Sequence, residues 1–154
     1  MTVKRFAAGF RPGDIIHNCL SYHLTPGGFI FDSGARACGC VVVPAGVGQS
    51  EAQVKAISDL KPAGYSGTPS FLKILIEKAE ELGADISSIK RALVSGEALP
   101  ESLRSWFAER DIAMLQCYAS ADLGLIAYES DAKDGMIVAE DIILEIVRPG
   151  TGEP

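Results

Sequence analysis

Residues 91–122 read RALVSGEALPESLRSWFAERDIAMLQCYASAD, and this stretch decides the fold. It holds two apolar, strand-like runs, 92–94 and 112–117, and a turn-rich segment follows each of them, 95–100 and 118–122. A helical pattern separates the two runs, which is the order expected in a parallel α/β sheet. Because residues just past the carboxyl ends of parallel strands line a crevice, the stretch predicts a ligand site there.

The two turn-rich segments carry residue types that a nucleotide site needs. Gly96 lets the backbone come close to a flat ring, because glycine has no side chain. Tyr118 offers an aromatic face, and Asp122 offers a carboxylate a few residues later. An adenine ring and a phosphate-bound metal ion would use that combination. The structural alternatives are a half-buried packing residue for Tyr118 and a solvated loop or helix cap for Asp122.

In their order along the chain, these segments resemble the adenine-binding and acyl-adenylate-binding motifs of the adenylate-forming enzymes (the AMP-binding, acyl-CoA synthetase superfamily). Within it they are most similar to phenylacetate-CoA ligases and related aryl-CoA ligases. The resemblance implies an ATP-dependent ligase that joins a carboxylate to AMP and then passes the acyl group to the thiol of coenzyme A. Further stretches similar to successive motifs of that family are 10–18, 27–28, 67–70 and 148–154.

The resemblance also implies that this is the central part of the family's large N-terminal domain. The family's phosphate loop would precede Met1, and its ribose-binding aspartate and its lid domain with the catalytic lysine would follow Pro154. We therefore expect residues 1–154 to form a single, incomplete AMP-binding domain, with an α/β part over 1–122 and a β-rich extension over 123–154. Such a fragment would be inactive alone and would bind no cofactor tightly.

Site roles follow from the same resemblance. Asp122 matches the family's metal-side acid, usually glutamate, and would be both a catalytic residue and the ligand of Mg²⁺ in the full enzyme. The family's glycine is Ala119 here and its phosphate-contacting hydroxyl residue is Ala121, so Ser120 supplies that hydroxyl only if the loop shifts. The cofactors implied are ATP or AMP, Mg²⁺ and coenzyme A. The residues expected to bind the adenylate are Gly96, Glu97, Ala98, Tyr118, Ala119 and Ser120.

An acyl pocket is expected after the first strand, with Leu20, Tyr22 and Thr25 as side walls and Ser95 at its base. The substrate would be a small aryl or acyl carboxylate. Phenylacetate ligases tend to be aromatic at the outer two wall positions, whereas Leu20 and Thr25 are not, so the acid need not be phenylacetate. An ordinary β-to-α loop is the alternative for this stretch.

Composition excludes several classes of protein. A net charge of -6 and a pI near 4.9 argue against a nucleic-acid-binding surface, which is normally basic. No apolar run approaches the ~18 residues that a membrane-spanning helix needs. Residues 1–10 lack the apolar core of a secretory signal, so a cytoplasmic location is expected. The 154 residues suit one domain.

Apolar periodicity predicts a mostly parallel, Rossmann-like sheet flanked by helices. We expect Ser50 and Gln53 to form a capping box, Thr68 to cap the next helix, and Gly83 to end it. The polar segment 131–135 is typical of a hairpin turn. Strands are predicted over 14–20, 40–43, 63–66, 92–94, 112–117, 123–129, 136–138 and 142–147, and helices over 26–37, from Ser50 to Leu60, over 69–82 and after Pro100.

The four cysteines suggest core positions rather than chemistry, and neither histidine has a recognisable nucleophile partner at triad spacing. We expect no disulfide, and we expect His17 to be a hydrogen-bonded core residue without a catalytic role. Strand edges left exposed would favour a homo-oligomer. Besides a ligase, two functions are consistent with the sequence: a non-catalytic module that binds adenine nucleotides, and a purely structural α/β domain.

Overall fold

The computed structural model describes residues 9–153 and places seven strands and four helices there. The predicted lack of a secretory signal concerns a segment that lies almost entirely outside the described residues, and Pro154 of the last motif lies outside them as well. The strands are β1 (Ile15–Asn18), β2 (Val41–Pro44), β3 (Gly64–Gly67), β4 (Arg91–Val94), β5 (Ala113–Ser120), β6 (Gly124–Glu129) and β7 (Met136–Val138). The helices are α1 (Gly27–Ala37), α2 (Ser50–Leu60), α3 (Pro69–Leu82) and α4 (Glu101–Ala108).

All seven strands form one sheet in the order β2-β1-β3-β4-β5-β6-β7. The first five are parallel to one another, and β6 and β7 add antiparallel strands at the far edge. The predicted α/β class with a β-rich end is therefore confirmed. The order reverses between β1 and β3, and in sheets of this kind such a switch point is where ligands bind.

Alternate residues of the central strands enter two separate cores, one on each face of the sheet. Ala92 and Val94 of β4 pack with residues of α2, α3 and α4, whereas Leu93 packs with Phe31 and Ala35 of α1. Helices thus cover both faces, as a parallel sheet requires.

Local signals define α3 correctly. The side chain of Thr68 accepts a hydrogen bond from the backbone N–H of Phe71 at 3.3 Å, and Pro69 is the first helical residue. Gly83 ends the helix with φ +64°, a left-handed conformation that favours glycine. The predicted apolar stripe, Leu72, Leu75, Ile76 and Ala79, is buried.

The predicted capping box of α2 is wrong. Gln49 precedes the helix and supplies no side-chain cap, and Ser50 is already helical. The side chain of Gln53 turns inward, where its Nε2 donates to the carbonyls of Gly46 and Gly48 at 3.0 and 2.7 Å. Its Oε1 lies 2.8 Å from Nε2 of His17, because a buried imidazole needs a polar partner.

The predicted strand over 142–147 is also wrong, since this segment has no regular structure. Ile143 and Ile146 are 93% and 84% exposed, so these two side chains pack against no strand or core among the described residues. The hairpin turn between β6 and β7 forms as predicted.

The cysteines and His17 are core residues, as expected, since all are buried. Burial raises the pKa of the Cys19 thiol to about 12 and lowers the pKa of His17. Within residues 9–153, none of the helices combines the length and the apolar character needed to cross a membrane.

Candidate adenylate site

A cleft of about 610 Å³ opens at the carboxyl ends of β4 and β5. It lies where the sequence predicts the ligand crevice, and the turn after β4 faces the end of β5 across it. Of the residues expected to bind the adenylate, only Ser120 does not line it. The lining also includes Ser95, Gln116, Cys117 and apolar residues of the β-rich end, Ala127, Met136, Val138 and Leu144.

The turn after β4 is held by Ser95 and bent by Gly96. The hydroxyl of Ser95 donates to the backbone carbonyl of Cys117 at 3.0 Å, and its backbone N–H donates to the carbonyl of Gly67 at 3.0 Å. One residue therefore ties the ends of β3, β4 and β5 together. Gly96 has φ +84°, a backbone conformation that is strained for any residue with a side chain. The turn itself therefore requires glycine at this position.

Glu97 lines the cleft, but its carboxylate turns towards α3. It accepts hydrogen bonds from the hydroxyl of Ser70 at 2.8 Å and from the backbone N–H of Ser70 at 3.3 Å. A negative charge at the first turn of a helix is favourable. The side chain thereby anchors the Gly96–Ala98 backbone, which leaves backbone atoms as the groups this segment offers to a ring.

The second motif begins inside a strand rather than in a loop. β5 continues to Ser120 because β6 pairs with it, with Ala127 opposite Tyr118 and Gly124 opposite Ser120. The register shifts between Tyr118 and Ala119. Tyr118 is 56% exposed, so much of its ring is accessible at the cleft. This exposure is unusual for a large aromatic side chain in a strand and is what a stacking surface requires.

Ser120 and Asp122 lie at the turn into β6. The hydroxyl of Ser120 accepts from the backbone N–H of Leu123 at 3.1 Å. Asp122 is exposed, and no hydrogen bond or ion pair to its carboxylate occurs within the described residues. Those residues also contain no cluster of three metal-ligating side chains. Mg²⁺ commonly binds one or two carboxylates and completes its shell with phosphate oxygens and water, so a single accessible carboxylate fits that ion.

A second cavity, of about 430 Å³, lies at the switch point between β1 and β3. Leu20 and Thr25 line it, as predicted for the acyl pocket, whereas Ser95 lies in the cleft instead. Its other lining residues are mainly apolar or small: Cys19, Ser21, Gly27, Val47, Thr68, Ser70, Phe71 and Ile74.

Tyr22 lines neither of these two cavities. Its hydroxyl donates to Asp32 of α1 at 3.1 Å and accepts from the side-chain amide of Asn18 at 2.7 Å. Burial, helped by the neighbouring Asp32 carboxylate, raises the pKa of Tyr22 to about 12. Its ring meets Phe29 edge-on at 5.2 Å between centroids, so Tyr22 fastens the loop to α1.

The cleft and the second cavity share a wall. Thr68 and Ser70 line the cavity, and Glu97, bonded to Ser70, lines the cleft. The hydrogen-bonded pair Ser70 and Glu97 thus lies between two neighbouring spaces.

Sequence reasoning missed Gln116 and the groups behind it. Gln116 lines the cleft, and both its backbone and its side-chain N–H donate to Glu129, each at 2.9 Å. Glu129 pairs with Arg104 of α4. The available signal was an acidic residue at the end of the apolar run 124–129, where a buried strand would otherwise be apolar throughout.

Comparison with known proteins agrees with this geometry. A family model described as "AMP-binding enzyme" matches residues 2–154. Phenylacetate-coenzyme A ligases of Aromatoleum evansii and Thermus thermophilus are 33% and 34% identical to this chain over 96% of its length. The match covers 35% of each relative, so the chain spans about a third of the curated relatives it matches.

Solved structures give the same fold. An open conformation of 2-hydroxyisobutyryl-CoA ligase, in complex with 2-HIB-AMP and CoA, has a TM-score of 0.80 and 24% identity, covering 88% of this chain and 32% of that one. A long-chain-fatty-acid-CoA ligase of Archaeoglobus fulgidus has a TM-score of 0.61 at 14% identity, covering 84% of this chain and 28% of that one. With its sheet, its cleft and a family model matched along nearly its whole length, the chain belongs to the AMP-binding enzyme family.

Proposed function

We propose that this chain forms the adenylate-binding part of an ATP-dependent aryl- or acyl-CoA ligase related to the phenylacetate-CoA ligases. One observation carries the proposal: a cleft of about 610 Å³ and a cavity of about 430 Å³ share a wall at the carboxyl ends of the strands. An acyl-adenylate has two parts joined through a phosphate, and this pair of spaces matches it. The named relatives support the same reaction class.

In this proposal the cleft holds the adenine. Tyr118 stacks on one face of the ring, and the backbone of Gly96, Glu97 and Ala98 covers the other. Ala119 follows Tyr118 on the same wall. The hydroxyl of Ser120, which lies outside the cleft lining and accepts from Leu123, would reach the phosphate only if this turn shifts.

The cavity at the switch point holds the acyl group. Leu20, Phe71 and Ile74 give it an apolar lining, and Thr25 adds a small polar side chain. Among the residues that the structure describes, none with an ionisable side chain lines this cavity except Cys19, whose thiol is buried, so an uncharged aryl or alkyl tail suits it better than a charged one. The carboxylate of the acid then lies near the shared wall, towards the nucleotide phosphate.

Asp122 is the residue that would hold Mg²⁺. Bound there, the ion would neutralise charge on the phosphate oxygens during transfer of the adenylyl group. We propose that residues 1–154 are an incomplete domain and that this chain alone does not turn over. The phosphate loop, the lid domain and the coenzyme A site of the family would be needed as well.

Titration of the chain with AMP tests the proposal directly. We expect AMP to shift the backbone NMR signals of residues 95–98 and 116–119 together. We also expect Tyr118→Ala to weaken AMP binding by roughly 5-fold or more, because losing a stacked aromatic contact costs on the order of 1 kcal/mol. Leu123→Ala is the matched control, since Leu123 is 61% exposed nearby but does not line the cleft. Equal affinities of both variants and the unaltered chain would refute the adenine site.

A second candidate, a module that binds adenine nucleotides without catalysis, is favoured by one observation. Ala121 stands where the family has a hydroxyl residue for the phosphate, and it is exposed rather than structural. Under this candidate AMP would bind to the chain but a small aryl carboxylic acid would not. Binding of both favours the ligase.

A further inference from the structure

A buried ion pair lies behind the cleft, outside every motif discussed above. Glu129 is only 6% exposed, and Arg104 donates to both of its carboxylate oxygens, at 2.7 and 3.0 Å. Arg104 also donates to the backbone carbonyl of Met114 at 2.9 Å, which fixes the guanidinium against β5. Both bonds to the carboxylate come from Nη2, while Nη1 binds the carbonyl of Met114, and together these charge-assisted hydrogen bonds hold the carboxylate in one orientation.

The same carboxylate holds Gln116. The backbone N–H of Gln116 donates to Oε2 of Glu129, and Nε2 of its side chain donates to Oε1, both at 2.9 Å. Burial raises the pKa of Glu129, but the donors from Gln116 and Arg104 outweigh burial and keep the pKa below its ordinary value. The carboxylate is therefore ionised at neutral pH.

An ionised carboxylate accepts hydrogen bonds and cannot donate them. If the side-chain amide of Gln116 were flipped by 180°, its Oε1 would face a carboxylate oxygen of Glu129 with no proton between the two acceptors. Glu129 therefore forces the NH₂ end of the amide inward. The other end, Oε1, makes no hydrogen bond within the described residues and is left as an acceptor on a side chain that lines the cleft.

We propose that Glu129, held by Arg104, is a positioning residue that fixes the amide of Gln116 and so makes this wall of the cleft select a 6-amino purine over a 6-oxo purine. The inference rests on the proposed function, because it needs a purine in the cleft. Adenine carries a hydrogen-bond donor at its 6-position, and hypoxanthine carries an acceptor there. Against Oε1 of Gln116, the first makes a hydrogen bond and the second places two acceptors together.

The affinities of the chain for AMP and for inosine monophosphate measure this selection. We expect the unaltered chain to bind AMP about 10-fold more tightly or better, since an unmatched polar group at a ligand site costs about one hydrogen bond. Glu129→Gln puts an amide opposite Gln116, which lets either end of Gln116 face the cleft, so the ratio of the two affinities should fall close to one. Gln116→Leu should remove the preference as well.

Glu101→Gln is the matched control. Glu101 also approaches Arg104, at 3.8 Å, but its side chain is 84% exposed and it does not touch Gln116. This variant should keep the full preference for AMP. Positioning by Glu129 is overturned if Glu129→Gln, still folded by its circular dichroism, keeps the preference, or if the unaltered chain binds both nucleotides equally.

The side-chain amide protons of Gln116 give a readout that needs no ligand and no variant. We expect them to exchange with water much more slowly than those of Gln49, which is exposed. Equally fast exchange overturns the positioning role. If the chain binds neither nucleotide, the proposed function and the selectivity fail, whereas slow exchange at Gln116 in that case still supports the fixed amide.

Discussion

At the scale of single residues, the site combines side chains of opposite kinds. Tyr118 and Asp122 are exposed, and the latter has no polar partner within the described residues, which suits groups that wait for a ligand. Tyr22 and Glu97 are bonded into the scaffold instead. Residue type alone does not separate these classes, because a tyrosine or an acid in a loop has the same sequence signature in both. Hydrogen-bond partners separate them.

Asp122 gives a prediction at this scale. Asp122→Asn keeps the size of the side chain but removes the charge that would hold Mg²⁺. We expect Mg²⁺ to strengthen the binding of ATP to the unaltered chain by a few-fold, and we expect this gain to be lost in Asp122→Asn while binding without metal changes little. The measurement is a titration with ATP at several Mg²⁺ concentrations.

Asp131→Asn is the control for Asp122, because Asp131 is an exposed acid in the turn between β6 and β7, away from the end of β5 that Asp122 follows. If Asp122→Asn responds to Mg²⁺ as the unaltered chain does, its carboxylate has no part in holding the metal.

At the scale of elements, the sequence predicted correctly those features that depend on residues close together in the chain, such as the ends of a helix. Thr68, Pro69 and Gly83 define both ends of α3 through contacts only a few residues apart, so the sequence was sufficient there. Gln53 was misassigned because its partner, His17, is distant in the chain. Likewise β5 extends past Cys117 because β6 pairs with it, and no local pattern contains that information.

The carboxylate of Glu129 in β6 links Arg104 of α4 to Gln116 of β5, and this link predicts that the stability of the fold decreases in acid. Because the folded pKa of Glu129 lies below its unfolded value of about 4.3, its ionised form stabilises the fold above that pH and the contribution is lost as pH falls through the folded pKa. Glu129→Gln should cost ~1–3 kcal/mol at pH 7. Urea unfolding between pH 7 and pH 3 should then show a weaker loss of stability on acidification in the variant.

Glu101→Gln again serves as control and should stay within about 0.5 kcal/mol of the unaltered chain at every pH, as is usual for an exposed side chain. An identical fall in stability for Glu129→Gln and the unaltered chain would mean that Glu129 does not carry the acid response.

At the scale of the whole molecule, the family resemblance predicted more than periodicity did. Alternating patterns indicate an α/β fold, but they do not order the strands or say that two cavities share a wall. The ordered motifs supplied the position of the cleft. The motifs did not predict the contact between Gln116 and Glu129, nor that the hydroxyl of Tyr22 is bonded to Asp32 of α1, because these contacts join residues from different elements.

The two edges of the sheet give the last prediction. Residues of β7 at the open edge are apolar and partly exposed, with Met136, Ile137 and Val138 at 39%, 48% and 38%. Unpaired, apolar edge strands pair with other chains, and a lysine on the edge opposes this.

We predict that the chain self-associates in sedimentation experiments at micromolar concentration, and that Ile137→Lys raises the concentration needed for association by roughly 10-fold, as a loss of about 1.4 kcal/mol of pairing energy would. Val41→Lys, on β2 at the opposite edge, should have little effect, because β2 ends at Pro44, which cannot donate a backbone hydrogen bond. Association that responds to Val41→Lys and not to Ile137→Lys would assign the contact to the β2 edge instead, and a chain that stays monomeric throughout would contradict self-association altogether.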